Sequence, residues 1–367
     1  MLQDQPRSEH IDRLRALSSG QILNFGWREG MSADEVKPYA EEALTYSRAA
    51  DPMHEPLLIG AYGRILAATA AADDYVNLVH DAVKLTSKEG DVGRFATVNA
   101  MLSQAFFMSG RLNEALDAGA VALAAISEQG GFEANVTLGL NANQILGFDV
   151  EHWIKCLRTR ILVRLGRFGE AKERLAEVLQ AAPERVAAVV EFIPHFASVE
   201  LAWGIGDPQL AHRHAARVAE LAEQSATPYL QVAAMACAGL AKGAAGDFTA
   251  AAHDLRAAID FARRARAGLE FEARMLADFA DVLYRGGDLD ASLEASEEAT
   301  AVAKRRTDRV AECHASLVRG MALAAAGGRD GEATQQLEQG ERLLSISGAA
   351  FFKPRLAHLR SRLERHV

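Results

Sequence analysis

Three cysteines in 367 residues, at Cys156, Cys237 and Cys313, are too few and too deep in apolar stretches for a disulfide framework, and imply a reduced compartment with buried thiols. Aromatic residues make up only 7%, so the core must be built from small aliphatic side chains rather than large rings. The start MLQDQPRSEH shows no positively charged stretch leading into an apolar run, and no run approaches the roughly 18 apolar residues of a membrane span. A cytoplasmic chain with no membrane partner is the expectation. Positive charge is also short: 40 Lys and Arg against 49 Asp and Glu give a net charge of -9, which argues against a general grip on nucleic acid. The signatures of common chemistries are missing too, with no G-x-x-x-x-G-K-[ST], H-E-x-x-H, paired C-x-x-C or G-x-S-x-G. The expectation is a protein that is not an enzyme and needs no cofactor or metal.

What is present is a rhythm. Gly110, Gly166, Gly206, Gly246, Gly287 and Gly328 each end an apolar-periodic stretch and are followed five residues later by a small residue: Ala115, Ala171, Ala211, Ala251, Ser292 and Ala333. The last five glycines lie 40, 40, 41 and 41 residues apart. A fixed period of that size marks stacked helix pairs. Glycine at each turn takes the left-handed conformation that closes the first helix, and Asp207, Asp247 and Asp288 stand where an N-cap opens the second. In the clearest unit, Tyr229–Arg264, Gly239 and Ala251 let two helices approach while Leu255 fills the groove between them. The predicted fold is all-α, a right-handed α-solenoid of antiparallel helix pairs, TPR-like with repeats of about 40 residues. One domain spanning 1–367 is expected, with about eight pairs and sixteen helices, turns also near Gly30 and Ala72, and an amphipathic C-terminal helix closing the end. Ser32-Ala-Asp-Glu35 reads as a capping box.

One interval breaks the period: 56 residues separate Gly110 from Gly166, and the excess is the Gly- and Asn-rich insert near 128–148. Such an insert is either functional or mobile: it is expected to fold against the first helices of the central repeats and roof a groove beside Pro194, which should kink its helix, with a disordered loop over a fully packed core as the competing reading. Large residues on first helices mark the candidate surface for a ligand or partner: Tyr62, Arg64, Phe106, His152, Trp153, Phe192 and His195, of which Trp153, Phe192 and His195 should border the cavity. Core packing is the competing reading for all seven. His212 and His214 lie about 200° apart on a helix and cannot share a metal; Cys313-His314 fails similarly. The basic clusters at Arg263-Arg264 with Arg266, and at Lys304-Arg305-Arg306, serve helix C-termini on the simplest reading.

Four segments carry a family resemblance: Ile22–Leu44, Leu146–Ala171, Arg305–Leu323 and Gly348–Leu363. Together, and in this order, they resemble the C-terminal tetratricopeptide region of bacterial multidomain signalling proteins, in which a class III adenylate/guanylate cyclase domain and an AAA-type signal-transduction ATPase precede the helical array. No cyclase metal carboxylate or phosphate loop is found here, so the resemblance transfers no catalytic residue. It implies a regulatory scaffold that binds a protein partner or signalling domain, with a small-molecule sensor as the alternative. A homo-oligomer is compatible with either.

Overall fold

The computed structural model describes residues 6–86, 91–128, 135–137, 140–180 and 186–365. Eight helix pairs follow one another: α1 (Glu9–Gly26) with α2 (Ala33–Ala50), α3 (Glu55–Thr69) with α4 (Ala72–Lys84), α5 (Val92–Met108) with α6 (Leu112–Glu128), α8 (Val150–Arg164) with α9 (Phe168–Gln180), α10 (Ala188–Ile205) with α11 (Pro208–Ser225), α12 (Pro228–Ala244) with α13 (Phe248–Ala265), α14 (Glu272–Gly286) with α15 (Leu289–Arg306), and α16 (Arg309–Ala326) with α17 (Asp330–Ser347). Two helices exceed the expected sixteen: α7 (Ala142–Leu146), from the insert, and α18 (Lys353–Glu364), the closing helix. The departure from all-α among the described residues is a short antiparallel ladder, β1 (Asn135–Thr137) on β2 (Leu140–Asn141). It lies in the insert; residues 129–134 and 138–139 of that insert fall outside the described residues.

Local chemistry explains the pairs. Gly110, Gly166, Gly206, Gly246, Gly287 and Gly328 all have positive φ, between 68° and 87°. Asp207, Asp247 and Asp288 cap α11, α13 and α15 by accepting from Leu210, Ala250 and Ala291 N–H. Ser32 and Glu35 form the reciprocal capping box of α2. The six small residues after the glycines are all fully buried. A Cβ on Gly239 would stand 2.7 Å from Leu255 Cγ, which shows why α12 and α13 need glycine at their crossing. α10 is long and apolar enough to cross a membrane by length and composition, contrary to the expectation that no stretch approaches this, but most of its residues are buried among other helices. Pro194 lies inside it and Pro38 inside α2.

The array coils far enough for early repeats to meet late ones. Gly30 is pressed against Ala265 O and Arg266, and Arg266 pairs with Glu35 across 231 positions. Arg309 binds Asp73 through both terminal nitrogens, at 3.0 and 2.8 Å, and donates to Ser109 O. Arg306, buried, donates to Ala68 O and Glu272. Gly166 abuts Ala350 and Phe351, and Phe168 packs edge-on against Phe351. Arg266 and Arg306, one from each basic cluster, thus tie one layer of the coil to the next, which local helix-end chemistry does not foresee. One large core runs from Leu57 to Leu363, and a smaller one, around Leu23, Val36, Ala40, Leu58 and Ile65, supports the N-terminal pairs.

Candidate functional site

First helices of both layers converge on a cavity of about 90 Å³. α1, α3, α5, α8, α10 and α12 line it, together with Tyr75 of α4 and the 3₁₀ turn Leu269–Phe271. Its aromatic wall is continuous. Trp27 meets Tyr229 edge-on at 4.6 Å, Phe192 meets Tyr229 at 5.6 Å, and Tyr229 tilts over Phe271 at 5.4 Å. Leu146 and Phe148, from the end of the insert, also line the cavity, and Phe148 packs edge-on against Trp153 at 5.4 Å. Gln21 holds this segment on α1 by donating to Ile145 O at 3.0 Å. Asn143 Oδ1 accepts from Val150 N–H, and Asp149 caps α8, so the segment runs straight into the helix that carries Trp153.

Charge enters through Arg64 and Glu270. They are ion-paired across 206 positions, with side chains only 6% and 7% exposed. The Arg64 guanidinium lies 4.3 Å from the Trp27 ring centre, and its Nε and Nη1 have no protein partner. Arg28 sits beside it over Phe25 and Trp27; burial, with the Arg64 charge adding to it, lowers its pKa to about 10. Burial pushes the phenols of Tyr75 and Tyr229 up, so both stay neutral. Below, Arg160 lies 3.9 Å from the Phe196 ring and grips Glu200 with two bonds of 3.2 and 3.0 Å; Arg164 shares the same carboxylate. Burial alone would raise the Glu200 pKa, but the two arginines outweigh it and hold it at about 2. Such a buried cluster is a poor net stabiliser but costly to leave half-paired, so it fixes the geometry of the floor.

The seven residues expected on this surface separate. Arg64, Trp153 and Phe192 line the cavity. Tyr62, two positions from Arg64 and so turned to another side of α3, packs with the small N-terminal core. Phe106 is buried in the main core beneath Arg111, while its neighbour Phe107 takes the cavity position. His152 faces a separate outer groove, with its Nε2 3.4 Å from Cys156 Sγ. His195 does not reach the cavity: it turns to α11, where its Nδ1 meets His214 Nδ1 at 2.8 Å. Burial, then the neighbouring His214, lowers its pKa to about 4.

Sequence reasoning passed over Trp27, Arg160, Tyr229 and Glu270. A usable signal existed for one of them. Arg160, Arg164 and Glu200 are charges set within otherwise apolar first helices, where an exposed role is impossible and a buried partner is required. The three cysteines are free and buried, and burial pushes their thiols up, Cys313 to about 12. His314 is likewise buried, stacked 4.5 Å from Phe352 and set between Asp278 and Asp281, where it packs the closing segment. Among the described residues no three His, Cys, Asp or Glu side chains group as a metal site.

No family model matches the sequence, and the search of curated proteins gives no match. Among solved structures, the fold is similar to that of a Rap protein complexed with Competence and Sporulation Factor, with a TM-score of 0.59 and 12% identity over 96% of this chain and 99% of that one. A signal-transduction ATPase with a tetratricopeptide repeat sensor from Pyrococcus horikoshii gives 0.47 and 10%, with 95% of this chain covering 54% of that one. Aspartyl phosphate phosphatase F from Bacillus subtilis gives 0.47 and 11%, over 98% and 95%. The chain therefore belongs by fold with TPR-like helical-repeat proteins; at such identity the likeness extends to architecture alone.

Proposed function

We propose that this chain is a non-catalytic regulatory scaffold that senses an effector in its inner cavity and communicates with a protein partner or signalling domain, in the setting of nucleotide cyclase and ATPase signalling. The observation that carries the reading is the position of the cavity. Arg64 belongs to the first layer of the coil and Glu270 to the second, so an occupant would touch both layers and bias how they close. The aromatic wall and the lining residues from the insert suit binding, and the seven residues named from sequence enter as the site only through Arg64, Trp153 and Phe192. That a similarly folded protein is seen with Competence and Sporulation Factor supports a binding role. A protein that works in this way belongs in the cytoplasm.

Hydrogen exchange on the full chain tests the proposal. A low-molecular-weight fraction of cell extract should slow exchange both around the cavity and at the distant seam of Ser109 with Thr307–Arg309. Protection at the cavity without any change at the seam would reduce the chain to a simple binder. Rigorously purified protein should form no cyclic nucleotide and release no phosphate from ATP; either activity overturns the non-catalytic reading.

A further inference from the structure

We infer that the cavity is a site for a small monocarboxylate bearing one apolar group, with its carboxylate taken by Arg64 and its apolar part by the ring wall. This deepens the proposed sensing role and rests on the same cavity. The first argument is unmet hydrogen bonding. Arg64 is 5% exposed, spends one nitrogen on Glu270, and leaves Nε and Nη1 without a partner. Unpaired N–H groups on a buried cation are costly, and an acceptor supplied from the cavity removes that cost.

Charge fixes the kind of acceptor. Arg28 and Arg64 share the Trp27 region, and Glu270 is the carboxylate paired with Arg64 there. Arg160 adds nothing to the balance, being committed to Glu200. Arg28 lies outside the lining with Glu29 acting on it, so the charged groups that face an occupant at this end are the Arg64 guanidinium, with its two open N–H positions, and its partner Glu270. A carboxylate meets those N–H groups with charge-assisted bonds; an ammonium brings no acceptor; an alcohol brings a weaker one; a phosphate dianion carries more charge than a poorly hydrated space beside Glu270 accepts. Guanidinium groups hold carboxylates particularly well. Volume and lining fix the rest. A cavity of about 90 Å³ has room for a small body such as a single ring or a branched aliphatic chain. Trp27, Trp153, Phe192 and Tyr229 offer that body faces and edges on which to pack.

The experiment titrates the full chain with phenylacetate and isovalerate, and with 2-phenylethanol, phenethylamine and phenyl phosphate as counterparts. Calorimetry is read together with tryptophan fluorescence, since Trp27 and Trp153 line the cavity. Saturable quenching by a carboxylate is expected, at least about tenfold tighter than by the alcohol, with no binding of the amine. Arg64→Met should weaken carboxylate binding about 10–100-fold. Because that variant strands Glu270, Glu270→Gln is the deciding one: it frees Arg64 and should tighten carboxylate binding about tenfold. The inference fails if the alcohol or amine binds as well as the carboxylates, if phenyl phosphate binds tighter, if Glu270→Gln leaves affinity unchanged or weaker, or if no carboxylate binds at millimolar concentration. An extract fraction that protects cavity and seam while every carboxylate fails would overturn the ligand class and leave the sensing role in place. Carboxylate binding without seam protection would do the reverse.

Discussion

Gly110 and Gly246 occupy the same place in their repeats and the same backbone conformation, with φ of 73° and 84°. Their surroundings differ. A Cβ on Gly110 would stand 2.8 Å from Val310 N and 2.9 Å from Arg309 N, and one on Gly30 2.2 Å from Ala265 O. A Cβ on Gly246, or on Gly206, Gly287 or Gly328, meets nothing within 4 Å. Early turns are glycine for two reasons, conformation and the arrival of the next layer; late turns are glycine for conformation only. The repeat motif is thus one signal serving two structural demands, and the second is imposed by residues some 200 positions away.

The comparison breaks or sharpens by substitution. Gly30→Ala should have the largest effect, about 4 kcal/mol, from left-handed strain plus backbone overlap with Ala265 O. Because an array of repeats need not unfold in two states, the measurement is site-resolved hydrogen exchange, with protection lost at Thr307–Arg309 as well as near Gly30. Intact protection at that distant seam would show that the layers are not coupled.

Acid probes the first layer by a different route. His54, 1% exposed between α2 and α3, has its pKa lowered from 6.5 to about 4, chiefly by burial. The unfolded chain binds the proton more readily, so this stability is complete above pH 6.5 and is lost as pH falls toward 4, by about 3 kcal/mol. His54→Leu should flatten stability over that window; an unchanged pH slope would remove His54 from the account.

Ala251→Phe acts within one pair and away from the seam. It should overpack the crossing of α12 and α13 by about 2 kcal/mol while seam exchange stays near wild type, since Ala251 is fully buried against its own partner helix. Gly246→Ala should cost only about 1 kcal/mol, the left-handed penalty alone. Equal losses for Gly30→Ala and Gly246→Ala in denaturant titrations would erase the distinction between early and late turns.

The smallest effect has the opposite sign. Ala226, Arg266 and Thr307 all hold φ of 55° and, with Gly348, form a second ladder of left-handed residues between successive pairs. Three of the four are not glycine, so the sequence does not display this ladder as it displays the first. Two of them hold seam partners: Arg266 pairs with Glu35, and Thr307 Oγ1 accepts from Asp73 N–H. Ala226→Gly relieves strain with no such tie to lose and should stabilise by about 0.5 kcal/mol, after the entropy that glycine adds to the unfolded chain. Destabilisation on thermal melting would mean that the Ala226 methyl has a packing role.

How much of the site was legible follows the same division. Arg64, Trp153 and Phe192, named as large residues on first helices, line the cavity, and so do Leu146 and Phe148 at the end of the insert that a broken period marks. Tyr62, Phe106, His152 and His195 lie away from this cavity because a helix turns about 100° per residue, so a neighbour in sequence points elsewhere. Trp27 and Glu270 were missed because each lies at a turn, where nothing local marks a wall.

The sequence by itself determined the helix pairs, their glycine ends, their aspartate and serine caps and their small-residue crossings, because each depends on backbone conformation or on contacts within about one repeat. Only the tertiary structure decided that Gly30 meets Ala265, that Arg309 holds Asp73 and that Arg64 and Glu270 close one cavity. Those contacts depend on the small rotation from each repeat to the next, summed along the coil. No single residue encodes that sum, so a small change in it would leave every local signal intact and move the two layers apart.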